Sequence, residues 1–329
     1  MVNIAINGFG RIGRLVLRAG IKDKSIKFVA INDLGDIKTM AHLFKRDSVH
    51  GTFDGSVEVK DDSIVIDGKE IKFFSERDPT KLPWAELKVD VVFEATGVFR
   101  TEDQLQMHIQ AGAKKVLLSA PAKGEGITTV VSGVNEKDAE GKIFVSNASC
   151  TTNSLAPLLK ILNEKFGIEK GFISTIHAYT NDQKILDLPH SDLRRARAAA
   201  INIIPTSTGA AKAVGLVIPE LKGKMDGIAV RVPVPNGSYT DVTLNLKKEV
   251  TAEEVNKAIK SAASKELKGL VEYSEEDLVS SDIIGNPHSS VFDSKQTKVQ
   301  GDLLKFGTWY DNEWAFSNRM IEIVKLMSK

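Results

Sequence analysis

Residues 3–14 read NIAINGFGRIGR, an apolar run ending at Asn7 and then Gly8, Gly10 and Gly13 in the spacing G-x-G-x-x-G. The spacing alone is weak, because many turns carry glycines. Its flanks make it informative: a strand-like run precedes it, a helical run RIGRLVLRAG follows, and a second apolar run, KFVAIND, ends at Asp33, 20 residues beyond Gly13. Gly8 permits the tight turn, Gly10 lets backbone approach a pyrophosphate, and Gly13 lets the helix pack close to the strand. The anion would sit at the helix N-terminus, where free N–H groups and the helix dipole favour it. Asp33 would accept hydrogen bonds from ribose hydroxyls and repel a 2′-phosphate, which favours NAD over NADP. The competing reading is an ordinary strand-to-helix turn.

Outward from this stretch, the first half alternates short apolar runs (VDVVFEATG, KKVLLSAP, KIFVSN) with helix-like segments. Runs apolar on successive residues suit strands covered on both faces, so the pattern predicts an α/β fold with a Rossmann-type, doubly wound parallel sheet. SVEVKDDSIVIDGKEIKFF alternates around Asp67-Gly68 and reads as a hairpin set into that sheet. Past Cys150 the period changes to two in GIAVRVPVP and TDVTLNLK, and Thr251 with Glu254 forms a capping box ahead of a helical run. This half predicts an α+β domain with a mostly antiparallel sheet. The expected division is 1–149 for dinucleotide binding and 150–315 for catalysis and assembly, with a final helix at about 316–329 packing back on the first domain.

The 329 residues suit two cores better than one. With 42% hydrophobic and 26% charged residues, the composition is that of a soluble globular protein. No apolar run approaches the ~18 residues of a membrane span, and the N-terminus enters a strand without a signal-peptide pattern. A net charge of +1 makes no global case for nucleic acid, although LRRARAAA at 193–200 is a local basic cluster. No residue grouping suggests a metal site.

The only cysteine, Cys150, lies in VSNASCTTNSLAP. One cysteine cannot form an intramolecular disulfide, which fits a reducing, cytoplasmic compartment. A free cysteine is commonly a small buried hydrophobe, but Asn147, Ser149, Thr151, Thr152 and Asn153 are polar surroundings for a core. A thiol near a helix N-terminus has its thiolate stabilised by the dipole, and a nearby imidazolium would add to this. Pro157 leaves two alternatives: the helix starts after the cysteine, or it tolerates a distortion. Of six histidines, His177 at the end of the apolar run GFISTIHAYT is the candidate base, with a structural role equally open. Thr206, Ser207, Thr208 and Gly209 precede a helical run as a phosphate cradle or a simple cap. Arg231, inside IAVRVPVP, requires an anion, either a carboxylate of the fold or a substrate phosphate.

Taken in order, INGFGRIGR, AINDL, SNASCTTN, HAYTNDQ, NIIPTSTGAAKAVG and WYDNE make the chain resemble the glyceraldehyde-3-phosphate dehydrogenase family over essentially its whole length. The resemblance implies a homotetramer with Cys150 as nucleophile and His177 as base. It implies NAD held by Gly8, Gly10, Arg11, Ile12, Gly13, Asp33, Arg77, Ser119 and Asn312. It assigns Ser149, Thr151, Thr208 and Gly209 to an attacking inorganic phosphate, and Thr180, Asp182, Arg197 and Arg231 to the phosphate of glyceraldehyde 3-phosphate. LRRARAAA then belongs to a loop near a neighbouring subunit's cofactor. Ser154, Ala315, Phe316 and Gly237 depart from the family pattern, and Pro287 to Met320 leans toward erythrose-4-phosphate dehydrogenases. That activity, or non-catalytic NAD binding, is the alternative.

Overall fold

The opening apolar run forms the strand Val2–Asn7, and the helix Arg11–Gly20 starts directly after the glycine turn. The structure, a computed structural model, describes residues Met1–Ser328. The chain divides into two units, one of Met1–Val130, Glu136–Ala148 and Ser317 onward, the other of Val131–Asn135 and Ser149–Phe316.

In the first unit, a nine-stranded sheet runs in the order 128–129, 144–146, 115–118, 91–94, 2–7, 26–32, 69–74, 63–66, 57–60. Seven strands, from 128–129 to 69–74, lie parallel to their neighbours. The last two pair antiparallel as a meander, and its turn has Asp67 and Gly68 at φ +48° and +74°. Such a turn matches the twist of the strands it joins, as the sequence predicted. From Val2–Asn7 the chain builds outward to one side through Ile26–Asn32, then returns to the other through Val91–Glu94. Strand order therefore reverses at the C-terminal ends of 2–7 and 91–94, where doubly wound sheets open a ligand crevice. The final helix, Trp314–Met327, lies against this unit: Lys325 pairs with Asp23, and Lys115 Nζ donates to the Met327 carbonyl.

In the second unit, a seven-stranded sheet runs 204–207, 225–232, 168–178, 238–246, 303–310, 290–300, 271–274. Two of its neighbouring pairs are parallel and the other four antiparallel. Burial alternates residue by residue along Ser238–Leu246, so one face is core. The helices Cys150–Phe166 and Ala252–Ser264 pack on each other and on the 303–310 and 290–300 strands. The capping box at Thr251 and Glu254 is formed.

Gly237 adopts φ +84°, and a Cβ there would lie 2.1 Å from the Ser280 carbonyl oxygen. Glycine is thus fitted to its surroundings here, since any side chain would meet both strain and a clash.

Candidate active site

The cleft of the first unit is made mostly of backbone. Gly8 sits at φ +93°, where a Cβ would lie 2.6 Å from the Thr96 nitrogen, and a Cβ on Gly13 would lie 2.1 Å from the Gly8 carbonyl oxygen. Both positions exclude a side chain for packing reasons. Gly10 differs, because a Cβ there would meet nothing within 4 Å. Gly10 caps the Arg11–Gly20 helix without a side-chain hydrogen bond, so the first-turn N–H groups stay open to a ligand. Asp33 is held from both sides, its Oδ2 accepting from Phe9 N at 2.7 Å and its Oδ1 from Gly35 N at 2.8 Å. Gly8, Gly10 and Asp33 line a cleft of about 390 Å³ with Arg77, Thr96 and Phe99, and Gly13 lies behind it. Ser119 N donates to the Glu94 carbonyl at the end of the neighbouring 115–118 strand. Arg11 pairs with Asp47 at 2.5 Å. Burial pushes the Asp47 carboxyl up, but the His50 N–H, Arg11 and the Val49 N–H outweigh it and hold it at about 2.

In the second unit, the helix begins at Cys150 itself. Ser149 is its cap, with Oγ accepting from Thr152 N at 3.1 Å, and Pro157 lies inside it. Of the two alternatives left by Pro157, the helix does not start after the cysteine; it runs through Pro157 and keeps the thiol in its first turn. Cys150 Sγ lies 3.5 Å from His177 Nε2. His177 Nδ1 is 2.7 Å from the Ala178 carbonyl oxygen, which can only accept, so Nδ1 carries the proton and Nε2 presents its lone pair to the thiol. The neighbouring strand places Arg231 in register with His177.

Burial first and the Arg231 cation second lower His177 to about 3, against the pull of the Ala178 carbonyl. Burial also pushes the Cys150 thiol up, against the Arg231 charge. Burial thus disfavours the charged form of each partner, the thiolate and the imidazolium. This arrangement suits a general base that removes the thiol proton as the sulfur attacks.

The anion-binding candidates do not all converge. Arg231 Nη1 donates to the Ala178 carbonyl at 3.1 Å and to Thr180 Oγ1 at 3.3 Å, while its buried Nε has no partner among the described residues. A largely buried guanidinium with an unused donor is a site for an oxyanion. Arg197 does not join it; its Nε reaches Asp187 at 3.1 Å, and its side chain is 64% exposed. Arg195 comes closer to the pair, and its charge also lowers His177. Asp182 binds Arg195 at 2.5 Å and lies 3.4 Å from His190. Thr208 Oγ1 accepts from Ala210 N at 3.2 Å, and Gly209 opens the helix Ala210–Val217 without a side-chain cap. Thr151 Oγ1 lies 2.8 Å from Tyr310 Oη. Asn312 Oδ1 accepts from Ser238 Oγ, which itself accepts from Ala178 N.

Two residues without a role in the sequence reading stand out. Tyr310 is buried, its hydroxyl 2.8 Å from both Thr151 and Thr175, its ring edge-on to His177 at 6.0 Å. Its buried ring packs against the imidazole. Arg195 was read only as part of a basic cluster; the acid at Asp182 was the available signal, but a loop pairing 13 residues apart has no periodicity to reveal it.

Among the described residues, no group of three or more His, Cys, Asp or Glu side chains is placed to hold a metal, and no helix is long and apolar enough to cross a membrane. The two units define a nucleotide-binding α/β protein with a separate thiol–imidazole site. Comparison with known proteins is more specific. Residues 149–312 match the family described as glyceraldehyde 3-phosphate dehydrogenase, C-terminal domain, and residues 2–102 match its NAD binding domain. Curated relatives named glyceraldehyde-3-phosphate dehydrogenase include one from Bacillus cereus, 56% identical with 100% of this chain and 99% of the relative covered. Others are from Geobacillus stearothermophilus, 56% identical over 98% and 97%, and Borreliella burgdorferi, 56% identical over 100% of both. The chain belongs to the glyceraldehyde-3-phosphate dehydrogenase family.

Proposed function

We propose that this chain oxidises D-glyceraldehyde 3-phosphate to 1,3-bisphosphoglycerate with NAD and inorganic phosphate, in glycolysis and gluconeogenesis. The observation that carries the reading is the 3.5 Å approach of Cys150 Sγ to a His177 Nε2 whose lone pair is fixed by the Ala178 carbonyl. The glycine turn, the open helix terminus and Asp33 fit NAD, which when bound supplies the hydride acceptor.

His177 Nε2 takes the thiol proton as Cys150 sulfur bonds to the aldehyde carbon and returns it to the former carbonyl oxygen, giving a hemithioacetal. On oxidation the neutral His177 takes the hydroxyl proton of that adduct, the carbon's hydrogen leaves as hydride, and the C–O bond becomes the carbonyl of a thioester. Charge developing on this oxygen is stabilised by the protonated imidazole and the Cys150 backbone N–H. Inorganic phosphate then attacks the thioester carbon, and the carbon–sulfur bond breaks to release Cys150 and the acyl phosphate. Arg231 and Thr180 hold the phosphate of the substrate, supported by the unused Nε of Arg231. Ser149, Thr151, Thr208 and Gly209 are assigned to inorganic phosphate; Arg195 joins the anion-binding groups in place of Arg197.

A homotetramer is supported by exposed apolar side chains between 185 and 203, Ile185, Leu186, Leu193, Ile201 and Ile203, which a lone subunit would leave in water. The single free thiol supports the cytoplasm. NADH formation from glyceraldehyde 3-phosphate and NAD, with and without inorganic phosphate and with erythrose 4-phosphate in parallel, tests the reading. Phosphate-dependent turnover of the three-carbon aldehyde is expected. Faster, phosphate-independent oxidation of erythrose 4-phosphate would replace it.

A further inference from the structure

Behind the cleft of the first unit lies a buried chain of polar side chains that the reaction does not use. Glu94, at the end of the 91–94 strand, is fully buried, as are His108 and Trp84. Trp84 Nε1 donates to His108 Nδ1 at 3.1 Å, and an indole N–H can only donate. His108 Nδ1 is therefore an acceptor, and its proton sits on Nε2, which donates to Glu94 Oε2 at 3.1 Å. Asn7 Nδ2 donates to the same oxygen at 2.7 Å. On the other oxygen, Glu94 Oε1 accepts from Thr96 N at 2.9 Å and from the Thr96 hydroxyl. All four contacts ask Glu94 to accept, which a carboxylate does and an amide cannot.

From this point the network reaches both walls of the cleft. Thr96 Oγ1 accepts from Val98 N, fixing the wall of Thr96, Val98 and Phe99. Phe99 packs edge-on against His108 at 6.3 Å. On the opposite side, Asn7 Oδ1 accepts from Asn32 Nδ2 at 2.7 Å, and Asn32 clamps the Glu76 backbone, accepting from its N–H at 2.8 Å and donating to its carbonyl at 2.9 Å. Glu76 and Arg77 form that wall.

We propose that Glu94 and His108 are positioning residues for the dinucleotide, a buried acceptor and its oriented donor that set the spacing of the two walls before the cofactor arrives. Neither touches the reacting atoms. The proposal rests on the reading that this cleft takes NAD. Pre-forming the walls removes an ordering cost from binding, so disturbing the pair weakens affinity and leaves the chemistry intact.

The test compares full-length wild type with Glu94→Gln, His108→Leu and His108→Gln. The readouts are NAD affinity by calorimetry, KM for NAD and for the aldehyde, kcat at saturating NAD, and alkylation of Cys150 without cofactor. Glu94→Gln forces an amide N–H₂ against a buried donor, and His108→Leu leaves the Trp84 and Glu94 partners unmet. Both are expected to raise the NAD dissociation constant about tenfold or more. kcat, aldehyde KM and Cys150 alkylation should stay within about twofold of wild type. His108→Gln, whose amide accepts from Trp84 and donates to Glu94, should recover most of the affinity. Should Glu94→Gln fail to fold, the contrast between the two His108 variants decides. Unchanged NAD affinity in Glu94→Gln or His108→Leu, or a Gln variant no better than the Leu variant, would overturn the positioning role while leaving the cofactor site standing. Wild-type protein that binds no NAD would overturn both.

Discussion

The glycine cleft and the thiol site solve the same problem, holding a ligand in fixed geometry, with opposite materials. The cleft uses backbone: a left-handed glycine, an open helix terminus and N–H groups that fix one carboxylate. The thiol site uses side chains from four segments, Cys150, His177, Arg231 and Tyr310, whose relation exists only after strands 168–178, 225–232 and 303–310 have paired. Backbone sites leave a local signature because conformation is set by neighbours in sequence. Side-chain sites leave none beyond residue type.

The largest expected effect lies on the thiol side. His177→Asn should lower kcat by about 10²–10⁴-fold, the usual worth of a placed general base, with NAD affinity unchanged by calorimetry. A parallel loss of NAD affinity would break the separation of the two sites.

The buried imidazole also makes stability pH-dependent. His177, lowered to about 3 in the folded chain, is ordinarily near ~6.5 when unfolded. Between those values the unfolded state binds the extra proton, so the contribution is complete above about pH 6.5 and is lost as pH falls toward 3, by roughly 1.4 kcal/mol per unit. Urea unfolding at pH 7, 5.5 and 4.5 should show wild type losing stability relative to His177→Asn as the solution becomes more acid. A constant difference would mean that the imidazole is hydrated.

On the cleft side, Gly13→Ala and Gly10→Ala separate packing from ligand approach. The Gly13 Cβ would strike the Gly8 carbonyl, so that variant should lose about 1–3 kcal/mol of stability or more. Gly10 has room, so its variant should melt as wild type while NAD affinity falls about tenfold, because the methyl stands where the pyrophosphate approaches. Equal melting losses in both would show that neither glycine answers to the ligand.

The smallest effect concerns Ser154, fully buried on the helix that carries Cys150, its hydroxyl without a partner among the described residues. Ser154→Ala should raise stability by about 1 kcal/mol in urea unfolding, since it removes an unsatisfied polar group. Destabilisation would reveal a partner for the hydroxyl.

By itself the sequence determined the parallel sheet, the hairpin at Asp67-Gly68, the glycine turn with Asp33, and Cys150 and His177 as the residues to watch. Each of these rests on periodicity, on turn chemistry or on scarce residue types, which act over a few neighbours. Tertiary structure decided the rest. It started the helix at Cys150 in spite of Pro157, chose the His177 tautomer through the Ala178 carbonyl, and set desolvation against the charged form of each partner. It brought Arg195 toward the site and turned Arg197 away, and it buried Tyr310 behind the imidazole. Desolvation and hydrogen-bond direction depend on what surrounds a group in three dimensions, so no spacing along the chain announces them.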